Sequence, residues 1–226
     1  MIVESPFTRK HYSRLRFYWQ GRSQGLHGQM DSIDLDLAAA ELIVRRETHF
    51  GGVPYYAVTL AGEQELAREK EREIARRRPH HELAGRLASW LREQGRVTWE
   101  NIELLVPHTE GGRQAIRPDV FSLAATYDEK RINPCVYEVK VSRADFRADV
   151  ARPEKRGGYS QIAEIVYYVA PSGMIEASEV PAECGLLVET QVGRFVVVKR
   201  PKKRRVELTV HQFMNLIMKP GSVSPG

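Results

Sequence analysis

Residues 117–142, RPDVFSLAATYDEKRINPCVYEVKVS, constrain this chain most, because two apolar-rich segments flank a short polar loop and read as paired strands. Strand side chains alternate between faces, so Val136, Glu138, Lys140 and Ser142 point one way and Cys135, Tyr137, Val139 and Val141 the other. In the preceding strand Asp119, Phe121 and Leu123 share a face. With the loop YDEKRIN centred on residue 130, the hairpin register brings Asp119 beside the Glu138 and Lys140 pair. A surface salt bridge would account for Glu138 and Lys140 taken alone. The strand is otherwise apolar, however, and charges buried there are costly unless they are paired for a purpose.

The chemistry of such a cluster follows from its groups. Two carboxylates, Asp119 and Glu138, with the intervening backbone carbonyl of Val139, are hard oxygen ligands that suit Mg2+ or Mn2+ rather than zinc. A lysine beside them, Lys140, can orient or help deprotonate an attacking water and offset charge on a phosphate. The reaction implied is hydrolysis of a phosphodiester.

Composition agrees with a polyanionic substrate. The 226-residue chain carries a formal charge of +5, and lysine and arginine bind phosphates with release of condensed counterions. No apolar run approaches the roughly 20 residues that span a bilayer, and the N-terminus MIVESPFTRK lacks a signal-peptide core, so the expectation is a cytoplasmic, nucleoid-associated protein without a membrane role. Cys135 and Cys184 are then reduced thiols, with Cys135 in core packing. His80, His81 and the other histidines show no zinc-ligand spacing. There is no Walker-type phosphate loop and no nucleophile elbow.

Along the chain, Tyr12, Leu15 and Trp19 fall at helical spacing among basic residues over 8–20, and a second helix is expected over 33–42 with Ser32 or Asp34 as its cap. Two short runs, 42–49 and 55–59, flank Gly51 and Gly52 as a hairpin. Residues 63–78, EQELAREKEREIARRR, are a charged helical connector expected to end before Pro79. The domain boundary therefore falls at 78: residues 1–78 form one domain with its connector, 79–219 a second, and 220–226 a disordered tail. In the second domain Leu83, Leu87, Trp90 and Leu91 form one helical stripe, 97–106 reads as a strand, and the central pair follows. Helices over 142–151 and 155–164, the buried run IVYYVA, a terminal hairpin turning at Gly193 and a last helix over 207–219 complete an α/β pattern.

Arg117-Pro118-Asp119, then 18 residues, then Glu138-Val139-Lys140, within the order helix, strands, helix, strand, resembles the PD-(D/E)XK nuclease superfamily over residues 80–200. The continuation EVKVSRADFRADVARPEKRGGYSQIAEIVYYVAP is similar to its MmcB-like DNA-repair branch. The resemblance implies a restriction-endonuclease-like mixed sheet flanked by helices. It also implies Asp119 and Glu138 as metal ligands, Lys140 serving the water, Glu82 as the helical acid and Gln161 as an auxiliary residue. Ser142, Arg143, Lys155, Arg156 and Tyr159 become phosphate contacts near the strand's exit, and Lys202 and Lys203 of the run KRPKKRR become backbone contacts. Asp145 and Asp149, one helical turn apart, read as capping or salt-bridge residues.

Residues 8–70 resemble a winged helix-turn-helix domain, with the segment YAVTLAGEQEL at the wing-to-helix junction. That resemblance implies nucleic-acid contacts from Arg45, Arg46 and His49 and from a recognition helix at 21–30 or 33–42. The expected function is a metal-dependent DNA endonuclease in repair or processing. The alternative is a DNA-binding regulator that keeps the fold without cutting. Cutting both strands with one site per chain favours a homodimer.

Overall fold

In the computed structural model, residues 5–21, 31–47, 54–108 and 111–219 are described. The chain divides into two compact units, 1–78 and 79–226. The tail 220–226, the wing turn with His49, and most of the candidate recognition segment 21–30 lie outside the described residues.

The first unit has helix α1 (Arg9–Trp19), helix α2 (Ser32–Ala39), and an antiparallel hairpin of β1 (Ile43–Arg46) and β2 (Tyr55–Val58), with Ile43 opposite Val58. Its core gathers Leu15, Tyr18, Leu37, Leu42, Ile43 and Tyr56. Trp19 is exposed, and Tyr18 takes the core position that the helical stripe assigns to Trp19. Asp31, rather than Ser32 or Asp34, caps α2, its carboxylate accepting from the Asp34 amide at 2.9 Å.

Helix α3 (Leu60–Glu93) corrects the expected break, because it runs through Pro79. Proline removes one intrahelical hydrogen bond, but strong helix formers on both sides carry the backbone past it. The charged connector is also not wholly solvated: Glu65 is buried and Leu66 packs against the first unit's core.

The second unit is built on a six-stranded mixed sheet in the order β10-β9-β8-β7-β6-β3. Strand β6 (Val120–Ala124) lies between β3 (Arg96–Glu100) and β7 (Cys135–Val139) and is antiparallel to both. Strands β8 (Ile165–Pro171) and β9 (Gly185–Gln191) continue parallel to β7, and β10 (Arg194–Lys199) closes the edge antiparallel to β9. The expected strand over 97–106 is two strands. Asn101 adopts φ 51° and ends β3, and β4 (Leu104–Pro107) leaves to pair with β5 (Arg113–Ile116) in a separate two-stranded sheet.

Every residue of β7 is buried, as a central strand covered on both faces requires. Cys135, Tyr137 and Val139 face the stripe of α3 formed by Leu83, Leu87 and Leu91. Val136 faces a second core with Phe121, Phe146, Tyr159 and Tyr168, beneath α4 (Arg143–Val150) and α5 (Pro153–Tyr159). Helix α5 ends five residues before the expected 164. Helix α6 (Val210–Met218) comes last. No helix of the described residues is long and apolar enough to cross a membrane.

Candidate functional site

The site grows from the register of β6 on β7. Val120 pairs with Tyr137, which sets Asp119 level with Glu138, two residues along from the Lys140 position that a loop-centred register gives. The ladder stops there, and the Val139 amide, free of a strand partner on that side, donates to Asp119 Oδ2 at 2.8 Å. Thus Val139 touches Asp119 through its N–H.

Glu138 is 2% exposed and Lys140 4% exposed, both on the α4–α5 face of the sheet. The close approach of α5 to β5 depends on Gly158, where a Cβ would lie 2.8 Å from Ile116. That approach brings Lys155 and Tyr159 over Glu138. The Tyr159 hydroxyl donates to Glu138 Oε1 at 2.5 Å, and the Lys155 ammonium donates to Oε2 at 2.6 Å. Lys140 Nζ lies 3.5 Å from the same Oε2. On the far side of both lysines stands Asp149, buried, 3.0 Å from Lys140 and 3.3 Å from Lys155. Asp145, more exposed, lies 3.6 Å from Lys140.

The electrostatics are asymmetric. Burial and the neighbouring Asp119 charge push the Glu138 carboxyl above the usual glutamate range, although Lys155 and Lys140 pull against them. Burial opposes the Lys140 charge, yet Glu138, Asp149 and Asp145 together outweigh it and raise the ammonium pKa. Asp149 is held below the usual range because Lys140 and Lys155 overcome its burial. Tyr159 is pushed far up by burial and by Glu138, so its hydroxyl stays a donor.

His80 completes the cluster. Its Nε2 donates to Asp119 Oδ2 at 3.1 Å, and that hydrogen bond raises the imidazole pKa against the effect of burial. Zinc-ligand spacing gives no reason to single out His80; its only sequence signal is its place just before the apolar stripe of α3 that packs on the sheet. Glu82, two residues on, points elsewhere: it is exposed, borders a surface depression with Arg86, Ser89 and Trp90, and its charge acts on Arg86. Gln161 is exposed beyond the end of α5, its amide donating to the Pro107 carbonyl at 3.3 Å.

The implied phosphate contacts separate in the same way. Ser142 caps α4 by accepting from the Asp145 amide at 3.2 Å. Arg143 grips Glu179 through both carboxylate oxygens at 2.7 Å and the Met174 carbonyl at 3.0 Å, pinning the segment 172–184. Arg156 donates to the Val150 carbonyl at 2.8 Å and to Glu183 at 3.2 Å, so it braces the end of α4. Only Lys155 and Tyr159 of that group reach Glu138. Lys203 pairs with Glu164 at 3.0 Å, and Lys202 is exposed beside it. On β1 Arg45 meets Glu47 at 3.4 Å, and Arg46 is exposed.

Among the described residues no three of His, Cys, Asp and Glu converge as a metal-holding group. No family model matches the chain, and no curated protein matches it. It is similar to one solved structure, the SPO1766 protein of unknown function from Silicibacter pomeroyi, at 28% identity and a TM-score of 0.45, over 62% of this chain and 82% of that one.

Proposed function

We propose that this protein is a metal-dependent DNA endonuclease of the PD-(D/E)XK type, acting in DNA repair or processing, with a winged-helix-like first unit that helps place the DNA. The observation that carries the reading is the half-buried Asp119 level with the buried Glu138 on adjacent antiparallel strands, with Lys140 two residues on along the same face. Support also comes from the order of elements in the main sheet: after α3 come β3, β6 and β7, each antiparallel to the next, then the helices α4 and α5, and then β8 parallel to β7.

The donor chemistry fits Mg2+ or Mn2+. Mg2+ is commonly held by one or two carboxylates, with waters and substrate phosphate oxygens filling the rest of its shell. Burial and the Asp119 charge both oppose the ionised form of Glu138, and a bound cation would relieve the second of these. Asp119 and Glu138 would hold the ion, which when bound supplies Lewis-acid stabilisation of charge on the phosphate. The chain's own groups do the rest. The His80 and Val139 N–H groups fix the Asp119 carboxylate, and the Tyr159 hydroxyl fixes Glu138. Lys140, anchored by Asp149, presents an ammonium to the attacking water and to the phosphate.

The deciding experiment incubates the protein with duplex, single-stranded, branched and damaged DNA in Mg2+ and in Mn2+, beside Asp119→Ala. Cleavage by the wild type that disappears in the variant is expected; no product from any substrate and no cation bound at Asp119 and Glu138 overturns the reading. A second reading, a DNA-binding module that does not cut, draws on the engagement of both Glu138 oxygens by Tyr159 and the lysines. It predicts DNA binding without metal-dependent product.

A further inference from the structure

Glu138 carries more donors than a site awaiting a cation needs. Oε1 is taken by the Tyr159 hydroxyl, a contact that fixes the carboxylate from the α5 side. Oε2 receives two ammonium groups, Lys155 at 2.6 Å and Lys140 at 3.5 Å. The two lysines differ in freedom. The Lys140 side chain is 6% exposed and locked among Glu138, Asp145 and Asp149, whereas the Lys155 side chain is 38% exposed. Lys155 also has a second seat already in reach, 3.3 Å from Asp149 Oδ1, with its Nζ 5.5 Å from the centre of the Tyr159 ring.

Resting on the metal-dependent reading, we infer that Lys155 is a displaceable occupant of the cation position: without a divalent ion its ammonium fills the place on Glu138 Oε2, and with one it shifts to Asp149 and faces the substrate phosphate. Displacement needs no titration, since the ammonium stays charged throughout. Its cost is small because Asp149 is already buried beside the lysine and accepts the charge that Glu138 releases. The arrangement keeps the buried carboxylate neutralised in the resting protein and turns the same positive charge toward DNA when the ion arrives. Asp149 is by this argument a positioning residue for both lysines, and Lys155 a group that touches substrate.

The test measures Mn2+ affinity by calorimetry for wild type, Lys155→Met and Lys155→Arg, with circular dichroism to check the fold. Removing the competitor should tighten Mn2+ binding in Lys155→Met by about tenfold, the loss of one charged hydrogen bond. Lys155→Arg should bind Mn2+ as the wild type does. Lys155→Met at saturating Mn2+ should still cut DNA more slowly than wild type. Equal Mn2+ affinity in wild type and Lys155→Met overturns the displacement and leaves the nuclease reading intact; absence of Mn2+ binding in all three proteins overturns both. In the wild type itself, the 15N resonance of the Lys155 ammonium should shift on titration with Mg2+, and an unmoved resonance at saturation overturns the inference whatever the variants do.

Discussion

Two buried glutamates in this chain hold their charge in opposite ways. Glu65, in the first unit, accepts from the Tyr12 hydroxyl at 2.6 Å, from Arg72 at 2.7 Å and from Arg68 at 3.0 Å. Burial pushes its pKa up, but those partners more than reverse it, and the carboxyl sits below the usual glutamate range. Glu138, in the second unit, has the same kinds of partner, a tyrosine hydroxyl and cationic side chains, and yet sits above that range because it is more deeply buried and Asp119 stands beside it. A carboxylate surrounded by arginine forks is finished; one set against a second carboxylate keeps a neighbour that opposes its charge. The first arrangement holds a helix in place, and the second is what a cation or a phosphate-handling site needs.

The largest expected effect breaks function alone. Lys140→Met should lower metal-dependent cleavage by about a thousandfold, by analogy with removing one charge-stabilising donor from an active site, while duplex affinity in a gel-shift assay is unchanged. A cleavage rate within a few-fold of wild type would remove Lys140 from the chemistry.

The next test sets the glutamates against each other. Glu65→Gln should destabilise the first unit by about 1.5–3 kcal/mol, the range for hydrogen bonds to charged groups, measured by urea unfolding. Glu138→Gln should abolish cleavage and leave the second unit's unfolding midpoint unchanged or raised, because ionised Glu138 is disfavoured in the folded state. Equal destabilisation by the two substitutions would erase the distinction.

Acid sharpens it further. Because the folded pKa of Glu65 is depressed, its contribution is complete above the pKa of an unfolded glutamate and is lost as pH falls through the lower folded value. Protection factors of the α1 amides, taken against the intrinsic exchange rate at each pH, should therefore fall on acidification below the ordinary glutamate range, and Glu65→Gln should flatten that dependence. Persistence of the wild-type pH profile in the variant would assign it to other groups.

An exposed pair supplies the smallest effect. Lys203 and Glu164 meet at 3.0 Å with the lysine side chain 63% exposed, and pairs of this kind add little to stability. Lys203→Ala should leave unfolding unchanged and reduce the slope of log affinity for DNA against log salt by about one. An unchanged slope would take the basic run 199–205 out of the DNA contact.

The sheet face was legible because strand alternation is local. Glu138 and Lys140 share a side whatever the rest of the chain does, and antiparallel pairing keeps Asp119 on that side even though the register differs from the loop-centred one. The stripe of Leu83, Leu87 and Leu91 was legible for the same reason, with helical period in place of strand period. The split of 97–106 into two strands was not, since an Asn in the left-handed region interrupts an apolar run that alternation alone would continue. Nor was the burial of Glu65, which depends on Tyr12 and Arg72 arriving from positions far apart in the chain.

By itself, then, the amino-acid sequence determined a buried acid and lysine on one face of a central strand and an aspartate on the next strand to meet them. Tertiary structure alone decided the company they keep. His80 rather than Glu82 reaches Asp119, Lys155 and Tyr159 close on Glu138, Asp149 stands behind both lysines, and Gln161 lies outside. The physical reason is that backbone periodicity assigns a side chain to a face within its own element. Which residue of a packed helix reaches across to a strand depends on where that helix sits, and here Gly158 lets α5 approach closely enough for Lys155 and Tyr159 to arrive.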